Sequence, residues 1–278
     1  MTILNAILLG LVQGLTEFLP VSSSAHLTLV GKYMGLISPE RPEAWTSFIA
    51  VMQLGTLVAV LVYFASDIRR IATAFLKENA ARTGFQAQSH DSRMGWYVII
   101  GTLPIVVFGL GLKKIIESSL TKDVMLIAGS LILFAVLLEI AERLGKRTRA
   151  EGDITWHDAL AVGLAQVLAL FPGVSRSGST IMAGLFRGLR RDVAARFSFL
   201  LSIPAVLASG LLQLKQAVET LGTSGAPDFV ALAIATVVAG ISGYAAIAFL
   251  LKFLQTRTNT VFVVYRILLG IALLTIFR

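Results

Sequence analysis

The sequence contains no cysteine, three histidines and a small share of charged residues. Without cysteine the chain can form no disulfide, no thiolate metal site and no cysteine nucleophile. Charged residues make up 14% of the 278 positions, whereas a soluble domain carries about 25%. Hydrophobic residues make up 56%, and the mean hydropathy is +0.80. The composition is therefore that of a membrane protein.

Uncharged apolar runs recur along the chain, and several are long enough to cross the hydrocarbon core of a bilayer. The runs are Phe48 to Phe64, Met94 to Leu112, Val124 to Leu138, Phe197 to Leu214 and Phe229 to Leu251. The chain has 24 Lys and Arg against 16 Asp and Glu. In a membrane protein this excess is expected in cytoplasmic loops and near anionic headgroups, so we expect no nucleic acid partner. The uncharged residues 1–16 lack a basic leader and are expected to be kept in the working protein.

Two hydrophobic segments are interrupted by polar residues, and their sequences match each other. The first occupies residues 1–31 and the second residues 159–188. In order along the chain, the matches are Gly10 with Gly163, Leu11 with Leu164, Gln13 with Gln166, Leu15 with Leu168, Phe18 with Phe171, Val21 with Val174, Ser22 with Ser175, and Ser24 with Ser177. They indicate an internal duplication, with repeats over residues 1–150 and 151–278 in one integral membrane domain.

The basic residues of the loops predict the orientation of each repeat. Lys and Arg number five in residues 65–93, four in 143–149 and four in 187–196. Because basic loops flank residues 159–188 on both sides, this segment is expected to enter and leave from the cytoplasm as a re-entrant hairpin. By the same count, residues 1–31 are expected to form a hairpin that enters and leaves the membrane from the outer side.

Each hairpin precedes three hydrophobic crossings. The predicted fold is therefore an all-α polytopic membrane protein with an inverted-topology repeat, two re-entrant helical hairpins and about six full transmembrane helices. In such folds the interrupted segments form a site near the bilayer midplane.

The interruption of the second segment, residues 172–180, reads Pro-Gly-Val-Ser-Arg-Ser-Gly-Ser-Thr and has the composition of a phosphate-binding loop. Proline and glycine end the incoming helix, and a new helix is expected near Ser177 with its positive end toward the loop. Arg176 supplies a planar set of donors that suits phosphate oxygens. A helix break capped by serines would suffice in a soluble protein. Arginine near the bilayer centre, however, costs roughly 3 kcal/mol and is seldom kept without a partner.

The interruption of the first segment contains Glu17, followed by a run of serines and a histidine. Gln13 and Glu17 lie four positions apart and share one face of a helix. Glu17 is expected to act as a general acid or base or as a metal ligand, and the alternatives are a carboxylate at headgroup level or a structural partner of Arg176. Ser23 and His26 share a face of the next helix, with the spacing of a hydroxyl nucleophile and an imidazole base. Helix capping is the alternative for any single serine.

Two polar positions in other crossings are further candidates. Arg266, in the last hydrophobic segment, is expected either to extend to the cytoplasmic interface or to reach the cavity as a second phosphate contact. Gln53, in the first full crossing, is a weaker candidate for lining the cavity.

Two motifs together resemble the integral-membrane undecaprenyl-diphosphate phosphatases associated with bacitracin resistance, and the likeness covers nearly the whole chain. The first motif is a Glu/Gln-x-x-x-Glu pair, here Gln13 and Glu17, leading into Phe-Leu-Pro-Val-Ser-Ser at residues 18–23. The second is Pro-Gly-x-Ser-Arg-Ser followed by threonine, here residues 172–177 and Thr180. The resemblance implies hydrolysis of undecaprenyl diphosphate to undecaprenyl phosphate and phosphate, which recycles the lipid carrier for peptidoglycan synthesis.

The resemblance also implies a set of site residues and a cofactor. The implied catalytic residues are Glu17, Ser23, His26 and Arg176. The implied substrate-binding residues are Gln13, Ser22, Ser24, Gly173, Ser175, Ser177, Thr180 and Arg266. A divalent cation, Mg²⁺ or Ca²⁺, is expected with Glu17 as its ligand, because the amide of Gln13 is a poor metal ligand. The expected location is the bacterial cytoplasmic membrane, as a multi-pass protein with its site open to the outer face and with a homo-oligomer allowed.

A transporter that flips a polyprenyl phosphate is the alternative function, because an inverted repeat with a midplane anion site is a transporter architecture. Turnover separates the two, since the binding residues would be the same. The nucleophile is left open between Ser23, His26 and water, and the roles of Ser23 and His26 are interchangeable at this stage.

Overall fold

The protein is helical throughout the part of the chain that the structure describes. The structure is a computed structural model and describes residues 1–40, 42–219 and 228–277, which form twelve α-helices, three short 3-10 turns and no β-strand. The helices are α1 (Ile3–Glu17), α2 (Ser23–Tyr33), α3 (Pro42–Tyr63), α4 (Ala65–Ala80), α5 (His90–Gly111), α6 (Lys113–Glu117), α7 (Val124–Leu144), α8 (Trp156–Leu168), α9 (Arg176–Phe186), α10 (Arg191–Glu219), α11 (Phe229–Thr256) and α12 (Thr260–Ile276).

Five helices are long and apolar enough to cross a membrane: α3, α5, α7, α10 and α11. They coincide with the five apolar runs, so the prediction of an all-helical polytopic membrane protein is confirmed. The sixth expected crossing corresponds to α12, which has 17 residues. At 1.5 Å per residue α12 spans about 26 Å, slightly less than a hydrocarbon core of about 30 Å.

The two interrupted segments each form a pair of short helices with a tight break between them. We call residues 18–22, between α1 and α2, the first tip, and residues 169–175, between α8 and α9, the second tip. Ser22 and Ser175 cap the outgoing helices with positive φ angles of 73° and 72°, which are uncommon for residues other than glycine. The Ser22 hydroxyl accepts a hydrogen bond from the backbone amide of Ala25 at 3.4 Å, and the Ser175 hydroxyl accepts one from the backbone amide of Gly178 at 3.1 Å. The matched sequences therefore adopt matched local geometry.

Glycines let the short helices lie directly against long ones. A Cβ atom on Gly14 of α1 would lie 2.5 Å from the Ala239 carbonyl oxygen of α11. A Cβ atom on Gly163 of α8 would lie 2.3 Å from the Gly101 carbonyl oxygen of α5. Such backbone contact is typical of helix pairs in membranes. The short helix α1 thus packs on α11 and the short helix α8 packs on α5, and this packing brings the two tips together.

A buried carboxylate fixes the start of the second interrupted segment. Asp158, in the first turn of α8, is fully buried and accepts hydrogen bonds from Arg149 at 3.0 Å and Arg187 at 2.6 Å. Burial opposes ionisation, but the hydrogen bonds from Arg149, Arg187 and Thr155 outweigh it and hold the pKa of Asp158 well below its usual range. Because Arg187 follows the end of α9, this cluster holds the two ends of the segment side by side.

Candidate active site

The two tips meet at the carboxylate of Glu17, the last residue of α1. Its Oε2 atom accepts hydrogen bonds from Gln13 Nε2 at 2.9 Å and from Ser23 Oγ at 2.6 Å. Its Oε1 atom accepts a hydrogen bond from Arg176 Nη2 at 2.8 Å. Glu17 is 5% exposed. The structure therefore brings together Gln13, Glu17, Ser23 and Arg176, as expected for residues of one site.

Arg266 joins the two tips through their backbone and takes neither of the positions expected for it. It is fully buried, and its Nη2 atom donates to the carbonyl oxygens of Gly173 and Val174, each at 3.0 Å. Its Nη1 atom donates to the Pro20 carbonyl oxygen at 3.4 Å. These carbonyls lie at helix breaks, where the backbone has no intrahelical partner for them. Arg266 is thus neither at the interface nor among the residues that line the cavity.

His26 is placed differently from the expectation of a serine–histidine pair. Its Nδ1 atom lies 2.7 Å from the Ser22 carbonyl oxygen and is therefore a donor. Its Nε2 atom lies 2.5 Å from Tyr265 Oη and accepts from it, and the two rings stack with 9° between their planes. Both ring nitrogens are thus occupied, and the Ser23 hydroxyl donates to Glu17. The expected contact between Ser23 and His26 is not formed, because the ring folds back over the first turn of α2.

Three residues of the second segment hold the structure together and do not face the cavity. The Ser177 hydroxyl donates to the Leu19 carbonyl oxygen at 2.9 Å and so links the tips. The Thr180 hydroxyl lies 2.5 Å from Ser198 Oγ of α10 and 2.7 Å from the Arg176 carbonyl oxygen. Gly173 has a φ of +85°, and a Cβ atom there would lie 2.6 Å from a backbone oxygen of α7. The resemblance implied that these three residues bind the substrate directly. Their contacts within the protein do not fit that role.

A cavity of about 520 Å³ begins at the tips. The end of α1, the first tip and the start of α2 contribute Glu17, Ser22, Ser23 and Ser24, and the second tip and the start of α9 contribute Pro172, Ser175 and Arg176. Gln53 of α3 also lines this space, as expected. The cavity therefore has a polar end formed by both interrupted segments.

The rest of the cavity is an apolar arm between α3, α5 and α10. Its lining residues on α5 and α10 include Val106, Gly109, Leu110 and Leu212. Of these, Leu110 is 67% exposed and Leu212 is 41% exposed. Both α5 and α10 contain a proline just before the arm, and prolines bend helices. The arm therefore runs between two membrane-length helices, α5 and α10, and ends at exposed apolar side chains.

Charged residues form a rim at the far side of the cavity. Lys113 pairs with Glu117 at 3.8 Å, and both line the cavity. The Lys122 ammonium donates to Thr46 Oγ1 at 2.6 Å and to the Ser118 carbonyl oxygen at 3.0 Å. Burial lowers the pKa of Lys122 to about 8. Sequence reasoning missed this lysine because its position in a loop before α7 carried no motif.

Gln166 of α8 is a second residue that sequence reasoning left out of the site. It lines the cavity together with Glu17 and Arg176. The signal for it was already present, since Gln166 matches Gln13 in the duplicated sequence.

The protein ligands near Glu17 are too few to hold a divalent cation alone, so substrate and water would have to supply the remaining ligands. The described residues contain no group of three or more His, Cys, Asp or Glu that could hold a metal ion. Glu17 is the carboxylate at the junction of the tips, and the nearby Gln13 Oε1 atom is buried without a hydrogen-bond partner among the described residues. Mg²⁺ is usually held by one or two carboxylates plus substrate phosphates and water. A diphosphate would therefore complete a site that Glu17 begins.

These features define a class: a polytopic helical membrane protein that presents a carboxylate and an arginine to a cavity with an apolar arm. A family model described as "Bacitracin resistance protein BacA" matches residues 6–272. Similar relatives include an undecaprenyl-diphosphatase from Syntrophobacter fumaroxidans, 57% identical over 99% of this chain and 97% of that protein. Those from Chloroherpeton thalassium and Mycolicibacterium smegmatis are 50% and 48% identical over 99% of this chain and 96% and 97% of theirs. The chain belongs to the BacA family of bacitracin resistance proteins, so the resemblance seen in the motifs is confirmed.

Proposed function

We propose that this protein is an undecaprenyl-diphosphate phosphatase of the membrane. It hydrolyses undecaprenyl diphosphate to undecaprenyl phosphate and inorganic phosphate, and the lipid carrier then serves again in peptidoglycan synthesis. The observation that carries the proposal is the bond between Glu17 and Arg176 across the two tips, at the head of a cavity whose apolar arm runs between membrane-length helices. The names of the relatives, at 57% to 48% identity over nearly the whole chain, support the same activity.

The proposal includes a topology. Residues 1–31 and 159–188 form re-entrant hairpins, and the repeats over 1–150 and 151–278 have opposite orientations in the bacterial cytoplasmic membrane. The lengths of the short helices support this, because the longest of them, α1, has 15 residues and spans about 23 Å. The helix α12 is then the sixth crossing. The site opens to the outer face, on the side of the rim that contains Lys113 and Lys122.

The diphosphate binds at the polar end of the cavity and the prenyl tail follows the apolar arm. Arg176 contributes a guanidinium that is 15% exposed and therefore accessible from the cavity. The N-termini of α2 and α9 both begin at the tips, and their free amides and positive dipole ends favour an anion. The hydroxyls of Ser22, Ser24 and Ser175 line the same space and provide further donors.

Ser23 and Glu17 have the geometry of a nucleophile and its base. The Ser23 hydroxyl donates to Glu17 at 2.6 Å, within the range in which a carboxylate removes a proton. In the proposed reaction Ser23 Oγ attacks the terminal phosphorus, Glu17 takes the hydroxyl proton, and undecaprenyl phosphate leaves as the bond to the bridging oxygen breaks. A water molecule then releases phosphate from the serine. Arg176 stabilises the charge on the transferred group.

A divalent cation, Mg²⁺ or Ca²⁺, would be held by Glu17 together with the diphosphate and would neutralise charge on its oxygens. His26 has a supporting role in this arrangement, since it binds the carbonyl of Ser22 next to the nucleophile. The oligomeric state does not enter the proposal, because every residue in it comes from one chain.

The proposal is tested by phosphate release from undecaprenyl diphosphate with purified protein in detergent, with and without a chelator. We expect turnover that the chelator stops, and a loss of at least about 3 kcal/mol of transition-state stabilisation, roughly a hundredfold, in Arg176→Ala. Binding of the lipid without phosphate release under any divalent cation would contradict hydrolysis and favour a carrier that flips the lipid.

A further inference from the structure

Gln166 of α8 has a buried side-chain amide next to the cavity. It is fully buried, lines the cavity beside Glu17 and Arg176, and neither its Nε2 nor its Oε1 atom has a hydrogen-bond partner among the described residues. Buried polar side chains in native proteins are nearly always hydrogen-bonded, and an exception calls for an explanation. An unpaired buried amide in a residue that lines a cavity indicates a ligand at that place.

Gln13, the residue of the first segment that matches Gln166, has a hydrogen-bond partner within the chain. Gln13 is equally buried, but its Nε2 atom donates to Glu17 on the next turn. The residue one turn after Gln166 is Leu170, which offers no acceptor. The amide of Gln166 is therefore left for a partner that comes from outside the chain.

A second unpaired donor lies on the same cavity. The Nη1 atom of Arg176 is also buried without a hydrogen-bond partner in the part of the chain that the structure describes, although Nη2 of the same side chain binds Glu17. A phosphate group offers several acceptor oxygens and can satisfy two donors at once. The apolar surroundings strengthen both bonds, because little water competes for them.

We propose that Gln166 is a substrate-binding residue whose side-chain amide donates to an oxygen of the prenyl diphosphate, beside Arg176 Nη1. The proposal rests on the phosphatase function proposed above. The bound diphosphate then spans the two interrupted segments, with Glu17 and Ser23 from the first and Gln166 and Arg176 from the second. Gln166 takes no part in proton transfer, since an amide does not titrate.

The test separates binding from folding through two measurements on Gln166→Leu. The first is the affinity for a non-hydrolysable prenyl methylenediphosphonate, measured by calorimetry with chelator present. We expect the affinity to fall about ten- to a hundredfold, the range for one hydrogen bond to a charged group. The second is the thermal unfolding temperature without ligand, which we expect to stay the same or rise because an unpaired buried amide is replaced by an apolar side chain.

A structural role would give the opposite pattern, with a lower unfolding temperature and an unchanged affinity of the folded fraction. Gln166→Asn is the second variant, because it keeps the amide but shortens its reach, and it should also lose affinity. Gln53→Leu is the matched control, since it removes an amide from the same cavity, and it should keep its affinity within about threefold. An equal loss in Gln53→Leu would overturn the proposal, because the effect would then reflect the general polarity of the cavity.

The variant Arg176→Ala distinguishes a failure of the proposed function from a failure of the Gln166 assignment alone. If this variant binds the diphosphonate as the wild type does, the diphosphate does not bind at the tips and the proposed function itself fails. If Arg176→Ala loses binding while Gln166→Leu and Gln166→Asn keep it, the assignment of Gln166 alone is refuted.

Discussion

Replacing Glu17 with glutamine should lower turnover and raise the affinity for the diphosphate in the absence of metal. The substitution keeps the size of the side chain but removes its negative charge and one of its two acceptor oxygens. In the structure those oxygens accept from Gln13, Ser23 and Arg176. One amide oxygen cannot serve both Arg176 on one side and Gln13 with Ser23 on the other, so at least one donor loses its partner.

The size of each effect follows from the geometry. A hydrogen bond between charged groups contributes about 1.5–3 kcal/mol, and breaking a fully buried ion pair costs about 3–5 kcal/mol. Because the Arg176 side chain is 15% exposed to the cavity, we expect the lower figure, a loss of about 2 kcal/mol in the free energy of unfolding. Without the carboxylate no base removes the Ser23 proton in the proposed reaction, and turnover should fall about a hundredfold or more.

The affinity should change in the opposite direction. In the free protein Glu17 accepts from Nη2 at one edge of the Arg176 guanidinium, and its negative charge repels an incoming diphosphate. Removing a charge a few ångströms from the ligand is expected to improve binding of the methylenediphosphonate by about tenfold, a modest part of the Coulomb energy of such a pair. Chelator must be present, because a cation bound at Glu17 would hide the effect.

The measurements are phosphate release, calorimetric binding and thermal unfolding of wild type and Glu17→Gln. Glu117→Gln is the matched control, since it neutralises a carboxylate at the rim of the same cavity and should leave turnover within about threefold. Turnover in Glu17→Gln within tenfold of wild type would show that Glu17 is not the base. A weaker affinity in chelator would show that Glu17 and the diphosphate do not share Arg176.

Three further substitutions test other parts of the structure. Arg266→Met should lower the free energy of unfolding by about 3 kcal/mol or more, because three carbonyls of the tips lose a buried cation, and an unchanged denaturation midpoint would contradict this. Gly109→Phe should slow hydrolysis of undecaprenyl diphosphate but spare farnesyl diphosphate, because it narrows the apolar arm. Gly129→Phe, at an equally open position on α7, is its control, and equal loss on both substrates would refute a tail path there. Asp158→Asn should destabilise the protein at neutral pH, and the difference from wild type in unfolding temperature should persist down to about pH 4 and shrink below it. The pKa of Asp158 is lower in the folded protein than in the unfolded chain, so the stability that its carboxylate contributes is lost only as the pH falls from the unfolded pKa toward the folded pKa. A difference in unfolding temperature that already disappears above pH 5 would contradict the assignment.

The apolar runs predicted the five long helices because length and hydropathy are local properties. The boundaries were less predictable. The run Phe197 to Leu214 lies within α10, which spans Arg191–Glu219, and the run ending at Leu251 lies within α11, which continues to Thr256. Charged and polar residues prolong both helices, because the backbone keeps its helical hydrogen bonds wherever no breaker residue follows.

The partners of the polar side chains were the part that the sequence could not predict. Tyr265, which binds His26, lies 239 positions away, and Pro20 lies 246 positions from Arg266. Spacing alone favoured a contact between Ser23 and His26, because the two residues lie three positions apart in the first turn of one helix. The packing of α12 behind the first tip instead gives His26 a tyrosine, and the end of α1 gives Ser23 a carboxylate.

The duplicated sequence predicts the frame of the site, and the positions where the two copies differ carry its chemistry. The capping serines Ser22 and Ser175 have nearly the same φ, and each lies 3.2 Å from the hydroxyl of the serine two positions on. Within this shared frame, one copy has Ser23 where the other has Arg176, and one has a carboxylate where the other has leucine. A pair of identical tips would place two arginines or two carboxylates face to face and repel. In the reaction proposed above, the exchange of one residue at each of these positions gives a nucleophile and base on one side of a symmetric frame and an anion-binding group on the other, which suits the hydrolysis of a diphosphate.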